Sequence, residues 1–86
     1  MKLVPLTQGR FAIIDDEDFE RVSQFKWFFA NRYAARRLPR DGKPQRGQSM
    51  HRFIAGEPDG LEVDHRNLDG LDNRRKNLRV ATRRQN

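Results

Sequence analysis

The sequence predicts a small α+β domain with short antiparallel strands and a few short helices. The chain has 86 residues, enough for one domain with a core of limited size. Short apolar runs alternate with turn-forming residues, as is typical of strands, and only two segments combine a helix-capping residue with apolar side chains near helical spacing. We therefore expect a single domain over residues 1–86, in which residues 1–48 are rich in β-structure.

The first elements are expected to be two strands and a helix. The runs 2–5 and 10–14 are apolar and flank turn residues, so they predict two strands. A helix is expected over 16–24, because Asp15 and Asp16 are good N-cap residues and acidic side chains favour the first turn of a helix.

An aromatic segment follows, with strands expected over 26–29 and 33–38. Asn31 and Arg32 suit a tight connection between them. Residues 39–47 contain two glycines and two prolines and are expected to form a loop. Four aromatic side chains of this segment are favoured as core residues over an alternative role in stacking on bases: Trp27, Phe28, Phe29 and Tyr33.

Residues 49–86 begin with a second predicted helix, over 49–55, which Ser49 caps and Gly56 ends. A strand is expected over 61–65. The residues 66–76 that follow are rich in Asn, Asp and Gly, which indicates a loop.

The distribution of charge points to a polyanionic partner. The net charge is +6, but residues 1–31 carry four Lys/Arg against five Asp/Glu, whereas residues 32–86 carry fourteen against seven. A neutral amino-terminal part and a basic remainder are typical of a nucleic-acid binder, because neutralised phosphates release their counterions. An ordinary solvated surface and an RNA-binding role are the alternatives that share this charge pattern.

The composition also limits the compartment and the kind of metal site. The chain has no cysteine, so disulfides and thiolate zinc sites are excluded. It has no apolar run as long as a membrane span and no signal-peptide core after Met1. We expect a cytoplasmic protein, in a bacterium or a phage-infected cell.

Residues 63–86 place a histidine, a carboxylate and several amides among arginines. Cutting a phosphodiester needs an activated water, a cation near the developing negative charge and positive side chains that hold the polyanion. Four motifs occur in order: Asp64-His65, Asp72-Asn73-Arg74, Asn77-Leu78-Arg79 and Gln85-Asn86. This series resembles the catalytic core of the HNH endonucleases, particularly the phage- and intron-encoded homing branch.

The resemblance covers most of the chain and implies a fold for its end. Upstream motifs that also resemble this branch are Leu6-Thr7-Gln8-Gly9, Ile14-Asp15-Asp16, Lys26-Trp27 and Met50-His51-Arg52. The implied catalytic core spans 49–86 and ends in a ββα-metal (His-Me) finger. Its strands are 61–65 and 78–81, and Thr82 caps its closing helix.

The resemblance also assigns roles within the finger. His65 is the implied general base, since a neutral imidazole, with a reference pKa of about 6.5, can take a proton from water. Asp64 and Asn86 are the implied ligands of one divalent cation, Mg²⁺ or Mn²⁺, both of which accept oxygen ligands. Neighbouring side chains of a strand point to opposite faces, so His65 is expected to face the attacking water and Asp64 the metal. Asn77 is the implied amide that holds the loop of His65 in register.

Each of these residues also has a structural interpretation. His65 could satisfy a turn, Asp64 could be an ordinary acid at a strand end, and Asn86 could be a surface residue at a chain end. Asn73 is a less favoured candidate than Asn77 for the supporting amide, because Asp-Asn pairs are common in turns. His51 is favoured as a structural residue over a phosphate contact.

Several arginines are candidates for phosphate contacts, because guanidinium groups pair bidentately with phosphate. They lie in the basic second part of the chain: Arg36, Arg37, Arg40, Arg52, Arg74, Arg75, Arg79 and Arg83.

The predicted function is that of a metal-dependent endonuclease that nicks or cuts double-stranded DNA. The alternative is a non-catalytic or truncated DNA-binding module of homing-endonuclease origin. We expect this chain to lack the separate DNA-reading domain of related homing proteins. Its specificity for DNA would then come from the amino-terminal part, from a homodimer or from a partner protein.

Overall fold

The structure is a computed structural model that describes residues 1–38 and 46–82. Within these two ranges, seven short strands and two short helices confirm the predicted α+β class with small antiparallel sheets. The predictions for Arg40, Arg83 and Asn86, and the closing helix of the predicted finger, lie outside the described residues. The elements are β1 (Lys2–Pro5), β2 (Phe11–Ile14), α1 (Asp16–Val22), β3 (Phe28–Ala30), β4 (Tyr33–Leu38), β5 (Arg46–Ser49), α2 (Met50–Ile54), β6 (Glu62–His65), a 3-10 turn (Arg75–Asn77) and β7 (Leu78–Ala81).

The strands form three separate sheets. The first pairs β1 with β2, the second has the order β3-β4-β5, and the third pairs β6 with β7, with antiparallel pairing throughout. The first sheet also contacts the loop between β6 and β7, because Ile13 of β2 forms an isolated parallel bridge with Asp72. The amino-terminal hairpin therefore lies directly against the loop that follows β6.

Helix α1 begins where predicted but ends at Val22. Asp15 occupies the N-cap position, yet its carboxylate makes no capping bond and instead accepts a hydrogen bond from the backbone N–H of Arg75 at 2.9 Å. Asp15, which was predicted to cap the helix, thus forms a tertiary contact with Arg75. Ser49, at the start of α2, likewise makes no side-chain capping bond.

The three-stranded sheet contains one strand that the sequence analysis missed. Asn31 and Arg32 connect β3 to β4 with φ angles of 50° and 74°, which confirms the predicted tight connection. The prediction that residues 39–47 form a loop is wrong at its end, since β5 begins at Arg46. Gly47 lowers the local strand propensity, but pairing with the free edge of β4 overrides it.

The main core lies between α1, α2 and the first two sheets, where Trp27 is buried and donates from Nε1 to the carbonyl oxygen of Val22 at 2.8 Å. This confirms Trp27 as a core residue, whereas Tyr33 is 42% exposed. The buried apolar cluster consists of Val4, Ala12, Ile14, Val22, Trp27, Ala34, Met50 and Ile54.

In the described part of the chain, no helix has the length and apolar composition to cross a membrane.

Gly70 lies where the loop after β6 passes the β3–β4 connection. A β-carbon at this position would clash with the carbonyl oxygen of Arg32 and lie 2.7 Å from the ring of Tyr33. We expect Gly70→Ala to lower the free energy of unfolding by about 1–3 kcal/mol, because a close-packed contact with backbone relaxes poorly. Unfolding in urea, followed by circular dichroism, measures the difference.

The matched control is Gly47→Ala. Gly47 lacks a positive φ, and none of the described atoms would crowd a β-carbon there. Its substitution is expected to change the free energy of unfolding by about 1 kcal/mol or less, with stabilisation as the favoured sign. Equal losses in the two variants would mean that the close approach at Gly70 is not the cause.

Candidate active site

The β6–β7 hairpin carries the residues that the sequence analysis singled out. In its register, Asp64 lies opposite Arg79 and His65 lies opposite Leu78. The side chain of Asp64 is 47% exposed, whereas His65 is 5% exposed. These neighbours therefore differ in exposure, although both line the same surface pocket.

The imidazole of His65 is held by a single short hydrogen bond. Its Nε2 lies 2.7 Å from Oδ1 of Asn73, in a buried environment. An amide oxygen only accepts, so this contact favours the tautomer in which Nε2 donates. Nδ1 of His65 has no hydrogen-bond partner in the described part of the chain.

Two more rings surround this imidazole. The His51 ring lies 4.6 Å from that of His65 in an edge arrangement, and the Tyr33 ring stacks on His65 at 5.7 Å. Nδ1 of His51 is buried, and it has no hydrogen-bond partner among the residues that the structure describes. Burial, followed by the nearby His65 and Arg52, lowers the pKa of His51 to about 4, so its ring is neutral at pH 7. This agrees with the favoured structural interpretation of His51.

The lowered pKa of His51 predicts a loss of stability on mild acidification. The folded-state pKa of about 4 lies below the ordinary value of 6.5, so the unfolded chain takes up a proton first as the pH falls. The stability that the neutral ring contributes is present above pH 6.5 and is lost as the pH falls from 6.5 towards 4. Melting temperatures measured across this window are expected to fall in the wild type.

The matched variant is His51→Gln, which cannot titrate. Its melting temperature is expected to change less over the same pH window, although it starts lower at pH 7 because the ring contacts are gone. Parallel pH profiles for the two proteins would rule out His51 as the source of the slope. The buried carboxylates do not interfere, because the pKa values of Asp18 and Asp72 are lowered below 3.8 by their arginine partners.

Asp64 is the only predicted metal ligand that the structure describes. Its carboxylate accepts hydrogen bonds from the backbone N–H of His65 at 3.1 Å and from Arg79 Nη2 at 3.3 Å. It lines a surface pocket with His65, Arg66, Leu68 and Arg79. No group of three or more His, Asp or Glu within residues 1–38 and 46–82 is arranged to hold a metal. One exposed carboxylate fits an ion such as Mg²⁺, which retains several waters when it binds to protein.

Asn77 is buried and clamps the loop after β6. Its Nδ2 donates to Asn67 Oδ1 at 2.9 Å and to the carbonyl oxygen of Asp72 at 2.8 Å, while its Oδ1 accepts from the backbone N–H of Asn67. These bonds tie Asn77 to the loop at Asn67 and at Asp72. The amide that contacts the imidazole, however, is Asn73, which the sequence analysis had placed second.

Four of the predicted DNA-contacting arginines are engaged within the protein. Arg75 binds the buried carboxylate of Asp18 at 2.7 Å, and Arg74 binds Asp72 at 2.7 Å. Arg52 donates to Glu57 and to the carbonyl oxygens of Pro58 and Leu61, and Arg36 packs 3.8 Å over the ring of Phe25. These contacts give Arg36, Arg52, Arg74 and Arg75 structural roles that the sequence analysis did not foresee. The partner of Arg75 is 57 residues away, whereas that of Arg74 is only two residues away.

Arg37 and Arg79 lie at the surface, and Arg79 is paired with Asp64 at 3.3 Å. Arg37 is exposed, with its guanidinium over the ring of Phe28 at 5.6 Å, and Arg79 borders the pocket beside Asp64. Arg66 also lines the pocket but was not among the predicted contacts. Its position directly after His65, at the end of β6, was the available signal in the sequence.

Comparison with known families supports the assignment of this region. Residues 51–86 match a family model described as HNH endonuclease. The matched stretch contains most of α2 and the whole β6–β7 hairpin, while β1 to β5 and α1 precede it. Comparisons with curated proteins and with solved structures gave no match.

Proposed function

Because residues 51–86 are recognised as an HNH endonuclease segment, we propose that this protein is a metal-dependent DNA endonuclease with His65 as its general base. The observation that carries the proposal is the state of the imidazole. His65 is hydrogen-bonded through Nε2 to the buried amide of Asn73, and it lines the same pocket as the half-exposed carboxylate of Asp64. A positioned imidazole that shares a pocket with an oxygen ligand is suited to the activation of water.

In the proposed reaction, Nδ1 of His65 takes a proton from a water molecule as its oxygen attacks the scissile phosphorus. The bond between phosphorus and the 3′ oxygen breaks, and the leaving 3′ oxygen takes a proton from a solvent water, which leaves a 5′ phosphate and a 3′ hydroxyl. A divalent cation held by Asp64 and Asn86 would supply positive charge to the phosphate and the leaving oxygen. The stack on Tyr33 and the bond to Asn73 hold the imidazole in place during proton transfer.

The proposed substrate is double-stranded DNA, because the chain carries a net charge of +6 and its basic excess lies beyond residue 31. Arg66 lines the pocket and Arg32 lies at the β3–β4 connection next to Gly70, so both flank the candidate site. Within the described residues neither forms an ion pair. We propose that they contact phosphates together with Arg37 and Arg79. The roles of Arg40 and Arg83 stay predictions.

The test of this function is the conversion of supercoiled plasmid to nicked and linear DNA by the purified protein. Cleavage is expected with Mg²⁺ or Mn²⁺ and not with EDTA. Ligation of the nicked product by DNA ligase without prior end treatment checks for the expected 5′ phosphate and 3′ hydroxyl. Failure to cleave with either metal would contradict the proposal.

Metal binding can be tested without cleavage. Addition of Mn²⁺ to ¹⁵N-labelled protein is expected to broaden the amide signals around Asp64 first, because the paramagnetic ion relaxes nearby nuclei, and EDTA should restore them. Asp64→Asn is expected to remove this broadening at Mn²⁺ concentrations that saturate the wild type, since the amide lacks the charge of the carboxylate. Asp69→Asn, an exposed acid of the same loop, is the matched control and should respond as the wild type does.

A non-catalytic DNA-binding module is the second candidate, and one observation favours it. The guanidinium of Arg79 donates a hydrogen bond to one carboxylate oxygen of Asp64, and a metal would need this carboxylate as a ligand. A protein in which this ion pair persists would bind DNA without recruiting a metal. DNA binding in the absence of both cleavage and Mn²⁺ broadening would favour this candidate.

A further inference from the structure

We propose that Asn73 is the residue that positions the general base, and that strand β2 of the amino-terminal part sets its place. This inference rests on the proposed nuclease function and concerns residues of the same site. It differs from the assignment that the order of motifs favours, in which Asn77 is the supporting amide.

The first step is the contact itself. Asn73 is 0% exposed, and its Oδ1 lies 2.7 Å from Nε2 of His65. In the described part of the chain it is the only side chain that forms a hydrogen bond with the ring of His65. Asn77 directs its amide to Asn67 and Asp72 instead.

The second step is the anchoring of Asn73 from outside the hairpin. Its backbone N–H donates to the carbonyl oxygen of Ile13 at 2.7 Å, and the N–H of Ile13 donates to the carbonyl oxygen of Leu71 at 2.7 Å. The residue before Asn73 forms a parallel bridge with Ile13, and Arg74 and Arg75, which follow it, are held by Asp72 and by Asp15 and Asp18. The backbone of Asn73 is therefore fixed on both sides.

The third step is the chemical consequence. An acceptor at Nε2 favours the tautomer that carries its proton on that nitrogen and its lone pair on Nδ1. It also fixes the direction in which that lone pair points, which is the task of groups that support a catalytic base. The family match begins at residue 51, so β2 would be a working part of the site that lies outside the matched segment.

The first test is spectroscopic and needs no cleavage. Long-range ¹H–¹⁵N spectra of the apo protein at neutral pH are expected to show His65 protonated at Nε2, with an Nε2–H signal that exchanges slowly because it is buried. Asn73→Leu, which has a similar size but no acceptor, should lose this slow signal. Asn73→Asp keeps an oxygen acceptor and should retain it. Asn77→Ala, which loosens the same loop without touching the imidazole, should also retain it.

The second test is kinetic. Single-turnover cleavage by Asn73→Leu is expected to fall by about 10–100-fold, with the affinity for DNA unchanged and with partial recovery in Asn73→Asp. Melting curves of all variants identify a temperature at which each is folded. A wild type whose His65 is protonated at Nδ1, or an Asn73→Leu variant that keeps the slow Nε2–H signal, would overturn the role of Asn73.

These outcomes separate the two proposals. A protein that cleaves DNA but lacks the Nε2–H signal contradicts the role of Asn73 alone. A protein that shows the signal but does not cleave with Mg²⁺ or Mn²⁺ contradicts the nuclease function, and with it any catalytic purpose of the hydrogen bond.

Discussion

His65→Ala is expected to lower the rate of metal-dependent cleavage by about 10²–10⁴-fold, the usual contribution of a general base. The variant removes the nitrogen that accepts the proton of the attacking water, and no other side chain within the described residues offers a similarly placed base. His51, the other histidine, has its Nδ1 buried and a pKa lowered to about 4, so it is poorly placed to replace it. Single-turnover cleavage of a labelled duplex measures the effect.

The controls must show that only the proton transfer is lost. The His65→Ala variant keeps Asp64 and the basic side chains, so its Mn²⁺-induced broadening and its affinity for DNA are expected to match the wild type. Added imidazole is expected to restore part of the rate, because the substitution leaves a space beside Asn73 that the free base can enter. Wild-type cleavage by this variant would exclude His65 as the base.

Asp18→Ala is expected to lower the free energy of unfolding by about 2–4 kcal/mol, because it removes several charge-assisted hydrogen bonds at once. The Asp18 side chain is 1% exposed and accepts bonds from Arg75 at 2.7 and 3.0 Å and from Arg21 at 3.1 Å. These bonds attach α1 to the segment that follows Asn73. Arg75 is 51% exposed and remains hydrated in the variant, which limits the loss. Urea unfolding at pH 7 gives the difference.

The matched control for Asp18→Ala is Asp16→Ala, in the same helix. Asp16 is exposed and pairs with the amino-terminal ammonium group at 2.9 Å, so its substitution is expected to lower the free energy of unfolding much less than Asp18→Ala does. A pH series adds a second check. Hydrogen bonds from Arg75 lower the pKa of Asp18 below 3.8, so its contribution is present above that pH and is lost as the pH falls through the folded-state value. Wild type and Asp18→Ala should therefore converge in acid, and a constant difference would contradict the ion-pair explanation.

The local elements were predictable because their signals are short-range. Apolar runs between turn residues marked β1 and β2, and the pair Asn31 and Arg32 marked the hairpin, since a two-residue connection needs left-handed backbone at both positions. Strand β5 was not predictable in this way. Gly47 lowers its local propensity, and the strand exists because β4 offers an edge for pairing.

The arginines illustrate a different limit of the sequence. A guanidinium group suits a phosphate and a carboxylate equally well, so composition alone cannot separate the two partners. Arg75 reaches Asp18 and Arg52 reaches the carbonyl oxygens of Pro58 and Leu61 only because the chain folds back on itself. Their structural roles thus depend on contacts that no motif encodes.

By itself, the sequence determined the kind of chemistry this protein offers: a histidine and a carboxylate at a strand end, amides in the loop that follows, and a basic excess beyond residue 31. These features depend on residue type and short spacing. Only the tertiary structure decided which amide contacts the base. Asn73 and Asn77 are equivalent as residue types, and the choice between them is made by Ile13 in β2, whose carbonyl oxygen fixes the backbone of Asn73 so that its amide faces His65.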